Sequence, residues 1–532
     1  MRHLGLLFAL VSLGASPAMA APAKKTAAKV PAKTQPTTAR KAEAPVATGS
    51  PARQQLARAL DMAKRGEYQN AANQLFALSK KPELQGDRAQ IKYILGIMLM
   101  ELKMNQVAAF QFVDVIRLDN PKYKKQAIDK LSVVADMLGD DTLLEYAISR
   151  VDVADIPANN RDMIYFRLGE VKQKARDFEK AADYFGKVQL GSSYYNQALY
   201  NKGLAQAEQN KTTQALDTFR TLLSLRSRAG VTDTNKVAAQ LAIARTLYQA
   251  QKWDESIEAY AQVPRDHYLW HSALFEQSWA MLRGARFRSV LSNFQSQHSS
   301  YYEDYYIPES LLLRAIVYLY ICKYDEMEKV LTLFEKTYGP VRTQVNSFIG
   351  SNRTAYDYYS ELEKAQEIKR GRQASAGLRL PYNALRYVLD QGDVRRAFIY
   401  LKALNDERAR IENNPSLKNS SLGAYAMKII ANRNKNKKIA IGEMAKADLL
   451  NIQSELSDLY EQAGFIRYEM ISGKKENLKK KIAGTDLAEA QIDDNIDREF
   501  YIENGYQYYP FSGEYWLDEI GNYHYLGKQS CE

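Results

Sequence analysis

The stretch "RLGEVKQKARDFEKAADYFGKV", Arg167 to Val188, decides the fold. At 3.6 residues per turn it reads as two amphipathic helices joined around Arg176 and Asp177, with small Gly169 midway along the first. Small Ala181 follows twelve positions later, early in the second helix, and bulky Phe185 comes four beyond that. Two helix backbones approach closely only where the facing side chains are small, and a bulky residue on the second helix then fills the gap. A single hairpin of this size cannot bury its own apolar face. If the pattern recurs, neighbouring copies must stack.

The pattern does recur. The first small site reads Ala59, Gly96, Ser132, Gly169, Gly203, Ala244, Ser278 and Ala315, and the bulky site reads Leu75, Phe112, Ile148, Phe185, Phe219, Tyr260, Phe294 and Leu331. The second small site is looser: Ala71, Ala108, Leu144, Ala181, Ala215, Ser256, Val290 and Met327. Successive copies are 37, 36, 37, 34, 41, 34 and 37 residues apart. The other clear copies are "NKGLAQAEQNKTTQALDTFRTL" (Asn201 to Leu222) and "LGIMLMELKMNQVAAFQFVDVIRLDNP" (Leu95 to Pro121).

On these residues the chain resembles the tetratricopeptide repeat, whose period is about 34. The resemblance covers a little over half the chain; it lacks the tryptophan of strong copies, and the repeat from Ile128 to Val151 is the most divergent. It implies an all-α fold: a right-handed α-solenoid of about eight helical hairpins over residues 55–340. In such solenoids the first helices line a concave groove. Counted from the small site, the groove residues here are Tyr93, Ile97, Phe166, Glu170, Tyr200, Leu204, Arg245, Tyr248, Phe275, Trp279, Leu312 and Ile316. Aromatics interleaved with Arg245 and Glu170 suit an extended or helical peptide, because rigid rings supply contact area at low entropic cost while charges fix register. The alternative is that these aromatics only pack against neighbouring helices.

Outside the repeats the composition changes. Residues 1–20 carry Arg2, an apolar run from Leu4 to Leu13 and Ala18-Met19-Ala20, the features of a secretory signal with its cleavage site. Ala21 and not a cysteine stands directly after that site, so a lipoprotein anchor is not expected, and no later run reaches the roughly 18 apolar residues of a membrane span. Residues 21–54 are rich in Ala, Pro, Lys and Thr, with seven basic residues against Glu43, and read as a disordered linker. The whole chain has a net charge of +11, but export argues against nucleic acid as the partner.

Residues 341–484 read as helical and coiled-coil-like. Leu449, Ile452, Leu456, Leu459, Ala463, Ile466 and Met470 form an unbroken 3-4 stripe, and Val394, Ala397, Leu401, Leu404 and Ile411 a second one, interrupted at Arg408. The two stripes are expected either to pack as a long hairpin through "ENNPSLKNSS", to form a seam for another subunit, or to be plain amphipathic helices. The basic runs "ANRNKNKKIA" and "GKKENLKKK" read as solvated faces. Residues 485–532 form an acidic, Tyr/Trp-rich module, in which Asn504-Gly505 and Gly521-Asn522 each separate short aromatic runs and predict β-hairpins. Those aromatics would cap the solenoid's open end or dock a partner.

Signs of catalysis are sparse. His267 and His271 have the spacing of two zinc ligands, but Tyr268 stands where a metalloprotease needs its glutamate, and only His3, His298 and His524 remain to complete a site. No metal, cofactor or catalytic residue is therefore expected. Glu309-Ser310 is similar to the start of a lytic transglycosylase active domain, but the Gly-Leu-Met-Gln segment of that family does not follow. The cysteines, Cys322 and Cys531, form one candidate disulfide. The architecture is similar to periplasmic tetratricopeptide proteins that organise the envelope of Gram-negative bacteria. That resemblance implies a non-catalytic periplasmic scaffold binding other envelope proteins or peptides; the alternatives are an adaptor to peptidoglycan or anionic surface polymer, using the basic leader, and a cell-wall hydrolase.

Overall fold

The computed structural model describes residues 51–140, 142–148, 161–226, 233–371, 377–482 and 513–525. Helices pair along the chain: α1 (Pro51–Lys64) with α2 (Tyr68–Leu78), α3 (Arg88–Glu101) with α4 (Asn105–Arg117), α5 (Pro121–Leu138) with α6 (Thr142–Ile148), and α7 (Arg161–Lys174) with α8 (Phe178–Gly186). Next come α9 (Tyr195–Glu208) with α10 (Thr212–Ser224), α11 (Thr234–Gln249) with α12 (Trp253–Ala261), α13 (Trp270–Arg283) with α14 (Phe287–Gln297), and α15 (Glu309–Tyr320) with α16 (Tyr324–Gly350). Each second helix also packs on the first helix of the following pair, from α2 on α3 to α14 on α15, wherever the intervening residues are described. The result is a stack.

The small sites form the core of every pair, and so do the bulky sites at Leu75, Phe112, Phe185, Phe219, Tyr260, Phe294 and Leu331. All residues of the first small site are buried, and those of the looser second site, including Leu144 and Met327, are fully so. Where the first site is glycine the partner is phenylalanine, and the ring lies directly on the glycine. A Cβ built on Gly96, Gly169 or Gly203 would come 2.6, 2.5 and 2.4 Å from the rings of Phe112, Phe185 and Phe219.

Every pair turns the same way. The residue seven after the small site, Gly66, Lys103, Gly139, Arg176, Asn210, Gln251, Ala285 or Cys322, adopts a left-handed backbone conformation with φ between 56° and 82°. The next N–H then reaches back to a carbonyl five residues earlier, as in Met104 N to Leu99 O (2.8 Å) and Arg286 N to Met281 O (2.8 Å). This is the Schellman ending of a helix, which satisfies carbonyls the helix itself leaves open. Only two of these positions are glycine, so the turn is imposed by the packing of the pair rather than by local preference.

Pro340, the expected end of the repeats, lies inside α16. Beyond α16 follow α17 (Ala355–Lys369), α18 (Tyr382–Asp390), α19 (Gly392–Glu412), α20 (Pro415–Lys418) and α21 (Ser421–Ile482). The last has 62 residues, about 93 Å at 1.5 Å per residue. It touches both ends of the stack. Near its start Tyr425 packs on Phe76 of α2 (4.9 Å) and accepts from Gln111 of α4 (3.3 Å). Further along, Tyr460 packs on Phe334 of α16 (4.9 Å), and Arg467 pairs with Glu335 (2.9 Å).

The two 3-4 stripes are thus both buried, but not against each other. α19 packs on the first part of α21, with Asn405 meeting Asn434 (2.7 Å), whereas the stripe from Leu449 to Met470 lies along α15 and α16. A hydrophobic period states that a face is covered and leaves open by what. The run "ANRNKNKKIA" also departs from a solvated face: Arg433 lies over Phe110, Lys437 pairs with Asp140 (3.1 Å) and lies over Tyr400, and Lys438 lies over Tyr359. These cations pin α21 to three other helices.

Among the described residues there is no strand, which corrects the expected hairpin at Gly521-Asn522; the one at Asn504-Gly505 lies outside the described residues. Residues 513–525 are a strap of turns. Ile520 is buried, Gly521 N donates to Ser296 Oγ (2.7 Å), Tyr525 N to Ser292 Oγ (2.8 Å), and Arg265 reaches Asn522 Oδ1 (2.6 Å). Gly521 has φ 89°, and a Cβ there would come 3.0 Å from Trp270. The Tyr515 and Tyr523 rings meet edge to face at 5.9 Å, and Trp516 N donates to Tyr523 Oη. Side-chain and side-chain-to-backbone contacts thus replace the strand pairing that the turn signal promised.

Candidate functional site

First helices of successive pairs lie side by side: α3 by α5, α7 by α9, and α9 by α11. Their common face carries the residues counted from the small site. Tyr93, Ile97, Tyr200, Leu204, Tyr248, Phe275, Trp279 and Ile316 are half-buried there, each resting on the core with part of its surface open. Tyr93 leans on Phe112 and Tyr123 (6.0 and 5.6 Å), and burial raises its pKa, with Asp129 and Tyr123 adding to the shift. Tyr248 meets Trp253 edge to face at 5.1 Å.

Two expected groove residues belong to the core instead. Phe166 is covered by Phe185 and Tyr194 (5.7 and 5.4 Å), and Leu312 is buried as well. Neither contributes to an open surface.

The charged residues of this face are engaged within the chain. Arg245, exposed on α11, grips Glu276 of α13 with two bonds (2.7 and 2.6 Å), and Tyr260 Oη donates to the same carboxylate (3.1 Å). Glu170 accepts from Arg167 (2.7 Å), which also holds Asp136 of α5 (3.1 Å). Glu276 was not legible as a site residue; the signal was its position two before Ser278, opposite Arg245 one after Ala244. These bonds link neighbouring pairs and fix their spacing. Tyr200 sits beside Arg245, which offsets part of the rise in its pKa caused by burial.

His267 and His271 do not share a helix face. α13 begins at Trp270, and His267 lies in the turn before it, its Nδ1 accepting from Leu269 N (3.3 Å). His271 is buried between the rings of Tyr302 and Tyr305, both at 4.4 Å, and burial pushes its pKa down to about 4. Among the described residues no group of three or more His, Cys, Asp or Glu side chains could hold a metal ion. Glu309 is the first residue of α15, largely buried beside Glu455 of α21; Ser310 donates to Ile307 O (2.7 Å) and meets His298 Nε2 (2.9 Å). Cys322 is disulfide-bonded, and Cys531, the sequence's one other cysteine, lies outside the described residues.

Two hollows among the described residues lie away from the counted first-helix residues. One, between α8, α9 and α10, is lined by residues of both charges, among them Asp183, Lys187 and Lys202; another lies between α16 and α21. No described helix is long and apolar enough to cross a membrane.

Compared with solved structures, the chain is similar to a Rap protein complexed with competence and sporulation factor, at 11% identity and a TM-score of 0.25, over 74% of this chain and 99% of that one. It is also similar to the P58(IPK) TPR domain, at 12% identity and a TM-score of 0.18, over 73% of this chain and 100% of that one. No protein-family model matches the sequence, and no curated protein does. From the glycine–phenylalanine contacts inside its pairs and the one turn they all share, the described chain from α1 to α16 is a stack of helical hairpins that resemble tetratricopeptide repeats.

Proposed function

We propose that this chain is an exported, non-catalytic scaffold of the cell envelope that holds partner proteins or peptides on the first-helix face of its repeats. One observation carries the reading: Tyr200, Leu204, Tyr248, Phe275, Trp279 and Ile316 stand half-open on consecutive first helices α9, α11, α13 and α15. Because Arg245 and Glu276 already satisfy each other, the face offers a partner rings and aliphatic groups on a fixed frame. The periplasm as its place rests on the Met1 to Ala20 leader alone.

Partners captured in intact cells by crosslinking identify the ligand. With Trp279→Ala and Tyr248→Ala together, capture should fall about tenfold or more, the scale of two truncated aromatic anchors. Capture unchanged by the pair, but lost on deletion of residues 21–54, would favour attachment to peptidoglycan or an anionic polymer through the basic leader. Turnover of peptidoglycan by the purified protein would sink the non-catalytic reading.

The reading includes a staple between Cys322 and Cys531, tying the tail to the turn between α15 and α16. Unreduced protein should show no reactive thiol under denaturing conditions, and two after reduction. A disulfide-linked dimer on a nonreducing gel is the opposing result.

A further inference from the structure

Near its C-terminal end α21 carries two apolar faces. Leu459, Ala463, Ile466 and Met470 are buried, and the adjacent Tyr460 and Arg467 meet Phe334 and Glu335, so that side is taken by α16. Phe465, Tyr468 and Ile471 point away from it and are 54%, 66% and 58% exposed. At 100° per residue they lie within about 60° of Tyr468, roughly 150° around the helix from the buried stripe. Gly464 is on this face too. A glycine inside a helix costs about 1 kcal/mol relative to alanine, yet a Cβ here would meet nothing within 4 Å, so no contact among the described residues requires it.

We propose that this face docks a second copy of the chain, with two α21 helices antiparallel about a two-fold axis through Tyr468. In that arrangement each residue lies level with the one equally far on the other side of Tyr468; residues near the centre of the face meet that counterpart, and residues on an edge meet the neighbour that shares their edge. Lys475, seven residues after, faces Glu461 of the second copy, seven before, and the symmetry makes the pair twice; both side chains are exposed. Phe465 falls over Ser472 and Ile471 over Gly464 of the second copy, so each large side chain meets a small one. Self-complementarity in both charge and size identifies the occupant as this same surface. A parallel arrangement would set Glu461 against Glu461 and Lys475 against Lys475. The proposal does not rest on the groove reading; it would place two first-helix faces in one particle.

Sedimentation velocity of the full chain across a concentration series tests it. Wild type should pass from monomer to dimer and shift toward monomer at high salt. Glu461→Lys and Lys475→Glu should each weaken the dimer about tenfold or more, because like charges then face each other twice. The double variant should return to within about threefold of wild type, since the exchanged pairs are restored in the antiparallel arrangement alone. Thermal melts equal to wild type establish that these exposed substitutions leave the fold intact. A chain that stays monomeric at about 100 μM, a dimer indifferent to the single changes, or a double variant as weak as the singles overturns the proposal. So does a wild-type monomer that binds anionic vesicles through Tyr468.

Discussion

Gly442→Ala should destabilise the chain by about 3 kcal/mol or more, and Gly464→Ala, in the same helix, should be neutral or slightly stabilising. At Gly442, α21 crosses the start of α17 with backbone against backbone. An added Cβ would lie 1.8 Å from the carbonyl oxygen of Ala355 and 2.5 Å from its carbon. Neither atom can rotate aside, so α21 or α17 must move as a body. The same construction recurs at Gly423, whose Cβ would come 2.0 Å from Leu417 O. Glycines under phenylalanine rings form an intermediate class: at Gly203 the obstacle is the Phe219 ring, which has some freedom within its cavity. Urea unfolding of Gly442→Ala, Gly203→Ala and Gly464→Ala should rank in that order of damage. Since α21 joins α2 and α4 to α15 and α16, loss at Gly442 should also speed hydrogen exchange at both ends of the stack. A Gly442→Ala protein within about 0.5 kcal/mol of wild type would mean that α21 is seated loosely and is no brace.

That crossing marks the boundary of what the sequence could reveal. Helix pairs were legible because close packing writes itself into residue size: Gly96, Gly169 and Gly203 are small for the same reason that Phe112, Phe185 and Phe219 are large. The shared left-handed turn was hidden, because Lys103, Arg176, Gln251 and Ala285 are not residues that advertise positive φ. Gly442 and Gly423 belong to no repeat, and their partners Ala355 and Leu417 are set by tertiary placement that no local pattern encodes. The exposure of the counted residues was legible only in part. Counting from the small site picked Tyr200, Tyr248, Phe275 and Trp279, which the fold leaves half-open, but it could not tell that Phe166 would be roofed by Tyr194, or that Leu312 would be buried. The bond between Glu407 and α4 lay furthest out of reach. Met104 offers no capping side chain, and the carboxylate accepting from Gln106 N and Val107 N (2.8 and 3.2 Å) arrives from α19, 300 residues later.

Stability should be greatest in mildly acidic solution and should fall as pH rises through 7, because the helices around α21 are assembled over buried acids. Burial raises Glu309 to about 7, with Glu455 adding to the shift, and raises Glu407 to about 7 against the pull of two backbone N–H groups. Burial also raises Asp448 to about 6, and it raises Glu455, which accepts from Tyr306 Oη (3.1 Å). An acid whose folded pKa lies above its unfolded value binds more protons folded than unfolded between the two. Its contribution is therefore full below about 4.5 and lost by about 7. Buried His271 and His298 act in the opposite sense. Their folded pKa values are depressed, to about 4 for His271, so they weaken the fold as pH drops below about 6.5. The two trends together place the optimum between them. Glu309→Gln isolates one acid: the amide has the shape of the protonated carboxyl and no charge to bury. Relative to wild type the variant should gain on the order of 2 to 3 kcal/mol between pH 4.5 and 7.5, read from urea midpoints at each pH. A constant difference across that range would mean that Glu309 ionises freely in the folded chain, with water reaching the contact between α15 and α21.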